Sequence, residues 1–403
     1  MDWRMLDEQY IISTYKRLPI AIARGEGNYL YDTEGKAYLD LFTGLAVNVL
    51  GHSHPHVLAA LREQGEKFLH ISNLFLNTPA IRLAKRLVEN SITGKVFFTN
   101  SGAEATEAAI KLIHKWTTAD GTGRAGIVVL RNSFHGRTLG ALRLTRQPHV
   151  YQDFPQPTFP VYELDAEDAD QLRRLCREAK PAAVLMEPVL GSGGVVPLSE
   201  TYLQEIEAIC REQEMLFCMD EIQTGIGRTS RFFAYQHAGV TPDLILFAKG
   251  VGGGLPLGGV IAGAKLMNLF QPGDHGTTFA PSPLSAALGN AVLDVVLDSE
   301  FQTAAQDVIA YLWQQLHELG HRYPALLSQL RGKGMMVGIP LHAKPEEVSR
   351  LQQNLLAEGI LVDVTQKTIV RLLPPLTLTR LEVDRFVEVF ARQLEMLGAA
   401  KGA

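Results

Sequence analysis

Cysteine is scarce in this 403-residue chain: Cys176, Cys210 and Cys218 are the whole set, with no C-x-x-C spacing and no histidine cluster beside them. That argues against a disulfide framework and a structural zinc site, and it fits a reducing compartment. An excess of basic charge is also missing, because 38 Lys and Arg stand against 43 Asp and Glu, a formal net charge of -5. Nucleic-acid binding relies on neutralising phosphates, so no such partner is expected. No run of about twenty uninterrupted apolar residues occurs, so no membrane span is expected. The nearest stretch, 251–264, is broken by glycines and Pro256. The opening MDWRMLDEQY carries acids and lacks a secretory apolar core, which makes the cytoplasm the expected location. Repeats and low-complexity tracts are absent as well.

What is present is ordinary in amount and ordered in pattern. Hydrophobic residues make up 46% and charged residues 20%, and the length favours a large domain with a smaller one attached. YLYDTEGKAYLDLF (29–42) alternates around a D-T-E-G turn and predicts a hairpin. Short apolar runs then predict strands at Val96–Phe98, Gly126–Leu130, Ala182–Met186, Leu216–Met219 and Leu244–Ala248, with helical stretches such as 103–116 and 199–214 between them. That alternation predicts an α/β fold with a mostly parallel central sheet covered by helices. Beyond residue 300 the pattern predicts a separate α+β unit, whose last helix opens on a Thr379–Glu382 capping box. The expected division is 1–54 as an N-terminal segment joining the small domain, 55–300 as the large domain, and 301–403 as the small domain.

Three of the apolar strands run into charged residues: Glu187, Asp220 and Lys249. Ligands of open α/β sheets bind outside the carboxyl ends of the strands, so these three side chains are expected to converge on one crevice. A fourth element, FFTNSGAEATEAAIK, turns from strand into helix at Asn100-Ser101-Gly102, with Ser101 and Glu104 spaced as a capping box. Gly102 permits close approach, and the free N–H groups of a helix start suit a phosphate. GTGRAG (121–126) matches a dinucleotide pattern but precedes a strand instead of following one, so it is set aside. A lysine amine for an aldehyde, a carboxylate for a pyridine nitrogen, a phosphate cradle and an aromatic face together match the demands of pyridoxal phosphate. The glycines after Lys249 read as clearance for that chemistry.

The segments FHGRT (134–138), EPVLGSGG (187–194), DEIQTGIGRT (220–229), AKGVGGGLPLGG (248–259) and HGTTF (275–279) resemble the class III, pyridoxal-phosphate-dependent aminotransferases. Within them the chain is most similar to the acetylornithine aminotransferases; GLAVNVLGHSHP (44–55), NSGAEATEAAIK (100–111) and VRLLPPLTLT (370–379) also match in order. The resemblance implies a fold-type I homodimer with active sites shared between subunits. It implies that Lys249 is the Schiff-base lysine, Asp220 the partner of the ring nitrogen, and Gln223 that of the ring hydroxyl. Phe134 and Ile222 would cover the ring faces. Ser101, Gly102 and Ala103 would cradle the phosphate, with Glu221 also in the cofactor set. Thr278 would reach the phosphate, and Thr277 the substrate, from the other subunit. Arg371 would grip an α-carboxylate, Arg137 the remote carboxylate, and Glu187 would pair with Arg371 when the amine donor is bound. No metal is implied.

The implied reaction moves the δ-amino group of N2-acetylornithine to 2-oxoglutarate, giving N-acetylglutamate 5-semialdehyde and glutamate, as in arginine biosynthesis. Gly44 falls near a tyrosine position of ornithine aminotransferases, which favours an acylated amine. Succinylornithine, N-succinyl-diaminopimelate, 4-aminobutyrate and ornithine are the alternative donors, and a pyridoxal-phosphate aminomutase is the alternative reaction. Two stretches depart from the family pattern: Ser192 stands where G-E-G-G is usual, and Ala280–Pro283 stand where G-G-N-P is usual.

Overall fold

The computed structural model describes residues 2–121 and 123–402. The predicted hairpin forms: β1 (Ile22–Glu26), β2 (Tyr29–Asp32) and β3 (Ala37–Asp40) are antiparallel neighbours. Asp32 closes the turn by accepting from the N–H groups of Glu34 and Lys36, each at 2.9 Å. This is the usual behaviour of a short acidic side chain beside its own backbone.

β4 (Gly94–Thr99), β5 (Ile127–Leu130), β6 (Val161–Leu164) and β7 (Ala183–Met186) enter a central sheet. A small hairpin, β8 (Val189–Leu190) and β9 (Val196–Pro197), follows, and β10 (Leu216–Asp220), β11 (Leu244–Phe247) and β12 (Gly258–Gly263) complete the sheet. Its order is β4-β12-β11-β10-β7-β5-β6, parallel except for β12, which is antiparallel to both neighbours. Every residue of β5, β7, β10 and β11 is buried. Alternate residues serve two cores: Phe217, Met219, Ile245 and Phe247 face one, and Leu216, Cys218, Leu244 and Leu246 the other. Burial on both faces is why these strands read as continuous apolar runs.

Two strands escaped the sequence pattern. β6 carries Glu163 and is buried fully only at Leu164, so it lacks the continuous apolar run of its neighbours. β12 lies in the glycine-rich stretch predicted to be open clearance, and it is instead a fully buried central strand. A Cβ on Gly259 would lie 2.5 Å from the Phe97 carbonyl oxygen and 2.7 Å from the Phe247 ring. Close strand approach is what excludes a side chain there.

The C-terminal part contributes β13 (Arg331–Lys333), β14 (Met336–Pro340), β15 (Ile360–Leu361), β16 (Asp363–Thr365) and β17 (Ile369–Leu372). β13-β14-β17-β16 make an antiparallel sheet, while β15 pairs in parallel with β3. The Thr379–Glu382 box forms in both directions, Glu382 N–H to Thr379 Oγ1 at 3.3 Å and Thr379 N–H to Glu382 Oε2 at 2.8 Å. Val383, Phe386, Phe390 and Leu394 of the last helix are buried as its 3.6-residue period requires. No helix among the described residues is long and apolar enough to cross a membrane.

Candidate active site

A cavity of about 580 Å³ opens at the carboxyl ends of β4, β7, β10 and β11, and Glu187, Asp220 and Lys249 line it together. Ser101, Gly102, Ala103, Phe134, Arg137, Ile222, Gln223 and Arg371 are also on its wall.

Lys249 follows β11 by two residues and has φ of 52°. A non-glycine residue rarely takes that left-handed conformation, which costs roughly 1–2 kcal/mol. The sharp turn out of β11 thus begins at the lysine itself. Lys249 keeps partial exposure, but burial of the amine dominates and pushes it down to about 8. Asp220 and Glu187 oppose the shift, and Arg371 adds to it.

Asp220 is buried, and both its oxygens are held. His135 Nδ1 lies 2.6 Å from Oδ2, and the Ile222 N–H donates to Oδ1 at 3.1 Å. His135 was not singled out in the sequence, although it lies inside the quoted FHGRT segment. Its Nε2 is buried without a hydrogen-bond partner, as is Gln223 Oε1. Glu187 accepts from the Phe134 N–H at 2.9 Å and the Gly191 N–H at 3.2 Å. Burial outweighs those contacts and pushes its carboxyl up to about 7.

The helix Gly102–Asp120 starts at the cavity, capped by Ser101 Oγ accepting from the Glu104 N–H at 3.2 Å. The box is not reciprocal as predicted, because Glu104 Oε2 accepts from the Asn100 N–H at 2.8 Å instead of that of Ser101. First-turn N–H groups lack partners within a helix, which leaves this terminus suited to an anion. A Cβ on Gly102 would lie 2.9 Å from the Ile222 side chain, so Gly102 is fixed by packing as well as by access. The Arg137 guanidinium sits 5.6 Å from the Phe134 ring centroid.

One site expectation needs correction. Glu221 faces away from the cavity, accepting from Thr224 Oγ1 at 2.5 Å and the Tyr235 N–H at 2.7 Å. It anchors the loop after β10, and burial pushes its carboxyl up to about 7. Thr277 and Thr278, expected to serve the cavity of the other subunit, lie outside that of their own chain. Thr277 Oγ1 accepts from Asn100 Nδ2 at 3.0 Å, and Thr278 is exposed. Arg371, whose pairing with Glu187 is expected only when the amine donor is bound, meets a different carboxylate in this structure. Its Nη2 lies 2.6 Å from Asp363, opposite it on β16, because the antiparallel register brings those two side chains together.

Leu45 and Val47, also missed, line the cavity from an unusual turn. Thr43, Gly44, Leu45 and Ala46 all have positive φ, between 49° and 67°. Asp40 over-determines the turn: Oδ1 accepts from the Phe42 and Thr43 N–H groups at 2.9 and 2.8 Å, and Oδ2 meets His52 Nε2 at 2.8 Å. Strain persists only where the surroundings fix it, and it clusters at functional sites.

The class-III aminotransferase family model matches residues 10–394. The acetylornithine aminotransferase of Aquifex aeolicus is 40% identical over 382 residues, 94% of this chain and 98% of that protein. The ornithine aminotransferase of Toxoplasma gondii, solved with partial occupancy of pyridoxal phosphate at its active site, superposes with a TM-score of 0.93 at 28% identity, covering 100% of this chain and 96% of that one. The N-acetylornithine aminotransferase of Stenotrophomonas maltophilia gives 0.83 at 30% identity, covering 98% and 99%. With this fold, and with a lysine and a buried aspartate meeting in one cavity, the chain belongs to the class-III aminotransferases and is a pyridoxal-phosphate-dependent enzyme.

Proposed function

We propose that the enzyme transfers the δ-amino group of N2-acetyl-L-ornithine to 2-oxoglutarate, leaving N-acetyl-L-glutamate 5-semialdehyde and L-glutamate, with the reverse flow serving arginine biosynthesis. The observation that carries the choice of donor is the wall beside Gly44. Leu45 and Val47 line the cavity there, and an apolar wall accepts a neutral acyl group better than a free α-ammonium. The identity to a curated acetylornithine aminotransferase supports the same donor.

The cavity residues fit the cofactor. Gln223 Oε1 is a buried acceptor without a donor, suited to a ring hydroxyl, and Asp220 is a buried carboxylate suited to a protonated ring nitrogen. Phe134 and Ile222 would cover the ring, and the Ser101–Ala103 helix start would hold the phosphate. Pyridoxal phosphate supplies an aldehyde that takes up an amine and a ring that withdraws electrons from the carbon bearing it. Lys249 Nζ, neutral above about 8, is the base that takes the proton from that substrate carbon. His135 holds Asp220 in place, and Glu187 holds the Phe134 backbone. Arg371 and Arg137 would receive the two carboxylates of 2-oxoglutarate, for which planar guanidinium groups are suited.

When loaded enzyme is mixed separately with acetylornithine, ornithine and 4-aminobutyrate, acetylornithine is expected to bleach the cofactor absorbance at least about tenfold faster. Equal rates would remove the donor assignment.

A cytoplasmic homodimer belongs to the same reading. Leu74, Phe75, Leu76 and Phe279 are 89%, 67%, 85% and 66% exposed. Their segments are tied together by Asn73 Nδ2 donating to the Thr277 and Ala280 carbonyls. An apolar patch of this kind calls for a cover, and a second copy placed there would bring Thr277 and Thr278 towards its neighbour's cavity. The expected sedimentation mass is that of a dimer; a monomer with full turnover would exclude shared sites. The pairing of β3 with β15 supports grouping 1–54 with 301–403 around the 55–300 unit.

A further inference from the structure

Arg371 is only 5% exposed and lines the cavity, so its charge must be balanced where it stands. Asp363 lies directly across the ladder between β16 and β17. Its single oxygen Oδ2 meets both Nε at 2.8 Å and Nη2 at 2.6 Å. A guanidinium offers two donor pairs along different edges. Asp363 fills the Nε side, while Nη1 is buried with no partner. Arg371 can therefore receive a substrate carboxylate at its other edge without releasing Asp363.

Among the described residues, the other carboxylates on the wall are Asp220 and Glu187, and Asp220 is held by His135 and the Ile222 N–H. Glu187 is engaged by the Phe134 and Gly191 N–H groups. Residue 192 is serine, so the loop between β8 and β9 brings no charge at that position. The Ser192 carbonyl is tied to the β16 side, accepting from Thr365 Oγ1 at 3.0 Å and Gln366 Nε2 at 2.8 Å. β16 thus carries both the anchor of that loop and the counter-charge of Arg371.

We propose that Asp363 is the resident counter-carboxylate of Arg371, fixing its guanidinium by one edge and setting how strongly the pocket prefers a substrate with a carboxylate at the reacting carbon over one without. Acetylornithine has no carboxylate at that carbon, and without Asp363 it would share the pocket with a bare buried cation. Glutamate and 2-oxoglutarate bring their own carboxylate and compete with the field of Asp363. The side chain acts through Arg371 and is a positioning residue. The inference rests on the reading that Arg371 receives the α-carboxylate.

The test uses Asp363→Asn in the loaded enzyme, with Asp363→Ser as a second neutral variant in case the first does not fold. Calorimetric binding of glutarate, a dicarboxylate that cannot react, is expected to tighten about tenfold once the competing charge is gone. The glutamate half-reaction is expected to show a lower KM, while the acetylornithine half-reaction loses about tenfold in kcat/KM. Asp363→Glu is expected to keep the wild-type ratio. These opposite movements are the signature of a charge that discriminates; a mere structural strut would weaken both substrates together, and that result, or an unchanged ratio, overturns the proposal. Arg371→Lys separates the underlying reading: if it leaves glutarate binding unchanged, Arg371 is not the carboxylate site and the fault lies there.

Discussion

Replacing Lys249 by alanine is expected to lower turnover by about 10⁴-fold or more and to remove the visible absorbance of covalently held cofactor. Lys249 combines three properties: a backbone conformation fixed at φ 52°, a position on the cavity wall, and an amine depressed to about 8. Rapid turnover without it would mean that another base does the work. The same residue sets a pH signature in the cofactor-free protein. The native amine titrates near 8 and its ordinary value is 10.5, so the unfolded chain binds more protons between those limits. Stability contributed at this site therefore rises as pH climbs through that window. Below about 8 the buried charge costs its full penalty, up to roughly 3 kcal/mol. The gap in Tm between Lys249→Met and wild type is expected to be widest below pH 8 and to shrink towards pH 10.5. A gap that stays constant over that range would show that the lysine is not buried as a cation.

Asp220→Asn is expected to cost roughly 10²–10³-fold in the rate of each half-reaction while cofactor binding survives. The carboxylate is 4% exposed, with one oxygen on His135 and the other on a backbone N–H. Its charge is thus pre-oriented in a dry site, where electrostatic stabilisation is strongest. Asparagine keeps the shape and loses the charge, so single-turnover rates report the charge alone. Near-normal rates would exclude Asp220 as the partner of the ring nitrogen. The arrangement also assigns His135 a purpose that the strand-end pattern did not show.

Residues at strand ends were legible because a charge after four or five apolar residues has few explanations. Glu187, Asp220 and Lys249 share that position on adjacent parallel strands, and the topology gathers them on one edge of the sheet. Gly258 and Gly259 were misjudged for the opposite reason. A glycine that makes room for a ligand and a glycine that makes room for a neighbouring strand look alike until the neighbour is placed. Glu221, which the resemblance places in the cofactor set, turns away although it adjoins Asp220, because at a strand end consecutive side chains part ways.

The sequence by itself determined the alternation of strands and helices, the buried faces of the central sheet, and the family motifs that mark the cofactor chemistry, because these depend on local period and residue type. Only the tertiary structure decided which carboxylate serves which cation. Asp363 meets Arg371 through the register of β16 against β17, and His135 reaches Asp220 across 85 residues of chain. Such pairings depend on through-space distances of under 3 Å, which no one-dimensional spacing encodes. The left-handed turn at Thr43–Ala46 belongs with them, because non-glycine residues hold that conformation only where distant partners such as His52 and Leu373 fix Asp40 and Thr43.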